Sequence, residues 1–307
     1  MKMRLTKRLA GGRARLYGLG STGIAAAAAT LALATPASAL GPAGPFQDCP
    51  VDLATFTSCV NTSTTSGSFT LGNATVPLTG TTTLQGGLNQ ITLSQENLLG
   101  AIDGNTLTGP ALTVPGGLTG LMTPTGLGLI GYVFGAVNTV TAQVQLAGPN
   151  PPGGSTNANF FLSGLGGTGT AVSLPVKVKL NNPLLGNTCY IGSDSNPIQI
   201  NLTAGTTAPP PPNTPITGNP GSQGIAFVPD GTQTVPALST TGVSFVDNSF
   251  AVPGASGCGP VGLQFLVDLA VDLKEGLPAA AGHNTAILNG SYLVASWGSV
   301  LAANHNQ

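Results

Sequence analysis

The residues able to do chemistry in this chain are few. They are four cysteines (Cys49, Cys59, Cys189, Cys258), two histidines (His283, His305), the close carboxylates Asp268 and Asp272, the run Asp194-Ser195-Asn196, and the serine in Gly254-Ala255-Ser256-Gly257-Cys258. A thiolate attacks carbonyls or holds a metal, but an even set of cysteines behind an export leader reads as disulfides. Four cysteines allow three pairings. The expected one is Cys49–Cys59, closing a short loop, with Cys189–Cys258, pinning two distant turns. A zinc site needs close C-x-x-C or histidine pairs, and the sequence has none. Serine hydrolysis needs G-x-S-x-G and a histidine base; Gly254–Cys258 fails at its last position. His305 sits in a polar tail, Asn304-His305-Asn306-Gln307, and His283, in "AAAGHNTA", reads as a solvated loop residue entering a strand.

The carboxylates fare no better. On a strand, Asp268 and Asp272 share a face roughly 13 Å apart, beyond the separation a two-carboxylate glycosidase uses. Asp194-Ser195-Asn196 opens like a calcium loop, but Pro197 follows, with no later ligand, glycine or closing glutamate. Asp194 is expected to make an Asx turn instead, with Pro197 starting the next strand. No catalytic residue, metal ligand or cofactor site is therefore assigned.

The elements that would position these residues follow a leader. Lys2, Arg4, Lys7, Arg8, Arg13 and Arg15 precede an Ala/Gly-rich apolar stretch and the small-x-small site Ala37-Ser38-Ala39. This is the pattern of a secretory signal peptide, residues 1–39, cleaved after Ala39. The remaining 40–307 carries only Lys177, Lys179 and Lys274 against ten carboxylates, a net charge of −7, although the whole chain is formally −1. Three cations exclude a nucleic-acid partner and binding to anionic lipid by charge. No transmembrane segment is expected in the mature chain.

Period-two alternation recurs and long 3.6-period stretches do not. Val172, Leu174, Val176, Val178 and Leu180 share one face; so do Ile198, Ile200 and Leu202, and Val140, Ala142, Val144 and Leu146. Phe265, Val267, Leu269, Val271 and Leu273 read the same way, making 264–274 an expected strand. Further strands are expected at 68–71, 90–93, 243–246, 285–288 and 292–295. Helix is expected only at Pro50–Val60 and Ser94–Ala101. "GPNPPGGST" (148–156) and the four-proline run 209–212 mark a possible two-lobe split near 147–157 and a long proline-rich loop near 205–222. A bond between Cys189 and Cys258 would span that loop and tie both sides into one body. Ser63–Pro77 matches Ser239–Pro253 at seven of fifteen positions, which reads as shared strand and turn chemistry. The apolar, glycine-spaced stretch Gly117–Val137 reads as a buried strand pair with glycine turns, or else as the lining of a hydrophobic pocket or a membrane contact.

"TTTLQGGL" (81–88), "LTVPGGL" (112–118), "SLPVKVKLNNPLLGNTCYIGSDSNPIQINLTAGTT" (173–207), "NSFAVPGASGCG" (248–259) and "GLPAAAGHNTAILNG" (276–290) together resemble a family of secreted actinobacterial proteins. The resemblance covers nearly all of the chain after the leader. It implies export and an all-β fold, and it brings no activity, cofactor or site residue.

The reading is thus one secreted all-β domain, 40–307, an antiparallel β-sandwich-like body with two disulfides. Its expected role is that of a non-catalytic structural or interaction protein, extracellular or cell-wall-associated, with an envelope or extracellular partner. The alternative is a carrier of a small hydrophobic ligand, and a less favoured one a secreted hydrolase.

Overall fold

The computed structural model describes residues 44–51, 57–118, 138–231 and 233–304. The leader, His305 and residues 119–137 of the apolar stretch lie outside them. β1 (Ser58–Leu71) turns through β2 (Ala74–Pro77) into β3 (Thr82–Gln90) and β4 (Gln95–Gly100). Short strands β5 (Leu107–Thr108) and β6 (Leu112–Thr113) precede β7 (Thr141–Leu146) and β8 (Ser155–Phe161). A one-turn helix, α1 (Leu162–Leu165), leads to β9 (Val172–Asn181), β10 (Tyr190–Ile191), β11 (Ile198–Leu202), β12 (Ser222–Asp230) and β13 (Gln233–Asp247). β14 (Ala255–Ser256), α2 (Gln264–Glu275), β15 (Thr285–Ser296) and α3 (Trp297–Asn304) follow.

The ladders are antiparallel, in the order β13-β15-β1-β3-β4-β8-β9, with β11 on the far edge of β9. Just past β11 the path returns to its start: the amides and carbonyls of Thr203 and Val246 exchange two 2.9 Å hydrogen bonds. Asp247, 1 % exposed, strengthens that seam by accepting the Asn201 N–H at 2.6 Å. Closure removes the unpaired backbone that β11 and β13 would otherwise present.

β7 and β8 pair with the same edge of β9, so the 147–154 connection lies within one sheet. The proline-rich loop is bound at its base. Asn213 Nδ2 donates to the carbonyls of Asn248 and Asn284, and Asn248 Nδ2 donates to that of Thr214. The Ser63/Ser239 similarity has a structural counterpart. β1 and β13 flank β15 on either side, and each carries a one-residue bulge, at Thr65 and Gly242, facing the same stretch of β15.

Three expected elements are corrected. Residues 264–275 form a helix, α2, not a strand. Asp268 and Asp272, one helical turn apart, lie on one face there, and Gly276 (φ 69°) ends the helix in the left-handed conformation that favours glycine. Residues 95–100 form strand β4 rather than a helix, because Asn97 Nδ2 bonds the carbonyls of Thr156 and Ala158 on β8. Ser58–Val60 opens β1; residues 52–56 of the other expected helix are not among those described. In addition, 90–93 is the end of β3 and its hairpin bend, where Leu93 is exposed.

The main core lies inside the closed path, built by β1, β3, β4, β7, β8, β9, β11, β13 and β15. A second core, with Phe46, Leu99, Val235, Ala295 and Val300 around the Cys49–Cys59 disulfide, is covered by α3 on the opposite face. Asp230 is fully buried beside it. Its Oδ1 accepts the Phe46 N–H at 3.2 Å, and Oδ2 has no hydrogen-bond partner. Burial raises its pKa above the ordinary carboxylate value, offset in part by the Phe46 bond. The folded state therefore holds this proton where the unfolded chain has lost it, so the group lowers stability as pH rises from the unfolded pKa through the folded one. Asp230→Asn keeps the acceptor and removes the charge. Its melting temperature should exceed that of wild type at neutral pH, with the gap closing in acid; a gap independent of pH would contradict this account.

Candidate functional site

Inside the closed path, β9 presents Val172, Leu174, Val176, Val178 and Leu180 to the core, all buried. Eight residue steps at ~3.3 Å make this an apolar stripe of about 26 Å. β11 extends it sideways with Ile198 and Ile200, and β7 with Ala142 and Val144. Phe69 and Leu71 of β1, Val243 and Phe245 of β13 and Leu288 of β15 form the facing wall. The bulged twin strands β1 and β13 thus each deliver a phenylalanine to the same space.

Three spaces lie along this wall among the described residues. The first, about 70 Å³, runs along Val172, Leu174 and Val176. The second, about 60 Å³, shares Phe69, Leu112, Val144, Val176 and Ile200 with the first and continues to Leu180. The third, about 100 Å³, shares Val140, Leu180 and Glu275 with the second and reaches α2. The first has no charged residue in its lining, only hydroxyls such as those of Thr62, Ser63 and Ser291 at one end. Charge enters at the other end alone, where Lys274 Nζ meets Glu275 Oε1 at 2.7 Å, the side chains 27 % and 13 % exposed.

α2 is held by its acids. Asp268 accepts the Cys258 N–H at 2.8 Å and Asp272 the Ala255 N–H at 2.7 Å. Val267 and Val271 face the third space. Phe265 (77 % exposed), Leu266, Leu269 and Leu273 face outward. The helix therefore turns its carboxylates in and much of its apolar side out. The acids read as a solvated strand face are instead the clasps of this helix, and a Lys-Glu-Gly terminus followed by Pro278 was the signal for it.

The other sequence candidates are placed as follows. The cysteines pair as expected, Cys49 with Cys59 and Cys189 with Cys258. His283 is exposed on the loop before β15. Asp194 accepts from Lys177 Nζ (2.7 Å) and the Gly148 N–H (2.9 Å), and the lysine holds its carboxyl below the usual range. The tight turn there is made by Ser193, whose Oγ accepts the Asn196 N–H, rather than by Asp194. Of the apolar stretch 117–137, the described residues Gly117 and Leu118 line the third space. Among the described residues, no three His, Cys, Asp or Glu side chains gather as a metal site, and no helix is long and apolar enough to cross a membrane. No family model, curated protein or solved structure matches the chain.

Proposed function

We propose that this chain is an exported, non-catalytic protein that binds a small apolar molecule between two antiparallel walls of a sandwich-like body. The observation that carries the reading is the row of three neighbouring spaces along β9, lined chiefly by apolar side chains. An apolar cavity of this kind does not hold water and gains by accepting an apolar guest. The leader pattern, two disulfides and the resemblance to secreted actinobacterial proteins support export to the extracellular side or cell wall. The engagement of Asp268, Asp272 and Asp194 in backbone and lysine contacts supports a role without catalysis.

The test is fluorescence titration with N-phenyl-1-naphthylamine. Saturable binding is expected. Val144→Phe or Val176→Phe, each placing a ring where the first two spaces meet, should weaken it about tenfold or more, a loss of packing room that costs ~1–3 kcal/mol. Binding unchanged in both variants would remove the reading. A second reading, an interaction protein of the envelope, is favoured by one observation: the exposed apolar side of α2, which exceeds what scattered surface residues explain.

A further inference from the structure

We infer that the ligand is a single-chain amphiphile with an uncharged, hydroxyl-bearing head, its tail along β9 and its head at Lys274–Glu275. This rests on the binding reading above and names the ligand class for that site.

Shape gives the tail. The three spaces follow one another along β9 rather than around one centre, the first and second both lined by Val176 and the second and third by Leu180. Their floor along β9 is about 26 Å, and one acyl chain, about 15 Å or half of the ~30 Å bilayer core, lies along more than half of it. A compact ring system would cover less of that course.

Charge gives the head. The hydroxyls at the far end bring no charge, and Thr62 Oγ1 already accepts the Leu84 N–H at 3.2 Å. Both charges near the cavity belong to the Lys274–Glu275 pair, which lines the third space, with Glu275 reaching into the second. A pure hydrocarbon would strip water from this pair and return no hydrogen bond. A carboxylate head would meet the Glu275 carboxylate along with the Lys274 ammonium, and the pair has no net charge left to hold it. A hydroxyl does both jobs: it accepts from a remaining Lys274 proton and donates to Glu275.

The test is displacement of bound N-phenyl-1-naphthylamine by alcohols and acids of matched length. In wild type, hexadecanol should displace the dye at about tenfold lower concentration than hexadecanoate, the worth of one satisfied hydrogen bond to a charged group. Shortening the alcohol should weaken it by about fourfold per methylene. Glu275→Gln leaves Lys274 unpaired, so the preference should reverse toward hexadecanoate; thermal melts verify that the variant is folded. If the dye binds and Val144→Phe blocks it, yet the alcohol-to-acid ratio is unchanged in Glu275→Gln, the head assignment is overturned and the binding reading stands. If butanol displaces the dye as well as hexadecanol, the extended-tail assignment falls. If neither the dye nor hexadecanol binds by calorimetry, both readings fall together.

Discussion

The double variant Cys189→Ser/Cys258→Ser is expected to lose about 4 kcal/mol of unfolding free energy, because the bond closes a long loop in the unfolded chain. The two cysteines are 69 positions apart, and the loop includes β11, the proline-rich segment, β12 and β13. In the fold the disulfide stands beside the Tyr190–Ser256 pairing of β10 with β14, and the Gly259 N–H donates to the Leu185 carbonyl at 2.7 Å. Both connections hold the segment that α2 clasps. The Cys49–Cys59 bond spans only 10 positions and its removal should cost less, about 3 kcal/mol. Urea denaturation of the two double variants compares them directly. The reverse order of losses would show that loop closure is not what the longer bond supplies.

Replacing both Asp268 and Asp272 by alanine should cost about 3 kcal/mol, since each removes a charge-assisted bond to a half-buried backbone amide. The expected consequence is local as well as global. Without its clasps, α2 loses its fixed place over the third space, and the amides of its last turn, including Leu277, which donates to the Asp272 carbonyl, should exchange faster with solvent. Probe affinity should fall with it. Phe265→Ser on the outward face serves as the contrast, because an exposed side chain with no such bond should change stability by no more than about 0.5 kcal/mol. Wild-type exchange in the aspartate variant would mean that apolar packing by Val267 and Val271 is what holds the helix.

The strands that proved easy to read are those whose two faces meet different solvents. In β9 and β11 every second residue is aliphatic and the others, Pro175 apart, are polar, so local periodicity and burial largely agree. The segment 264–275 has both patterns at once. Its Phe, Val and Leu residues alternate, yet Asp268 and Asp272 also repeat at one helical turn. Local periodicity weighs them equally, and the decision comes from two amides outside the helix, those of Ala255 and Cys258, that donate to the carboxylates. β4 is the converse: a stretch with a serine at a capping position becomes a strand because Asn97 is drawn to β8, about 60 positions on.

The candidate site was legible only as ingredients. The aliphatic stripes of β7, β9 and β11 and the two Ser-Phe segments of β1 and β13 are present in the sequence, but nothing in the sequence says that they face one another. The sequence by itself determined the leader pattern, the acidic balance, the even number of cysteines and the alternation of the main strands, because each depends on neighbours in the chain or on simple counting; which cysteines pair is read from the fold. Only the tertiary structure decided the closure of β11 onto β13, the helical state of 264–275, and the row of spaces ending at Lys274–Glu275. Those depend on which side chains meet across the core, and that is not a local property of the chain.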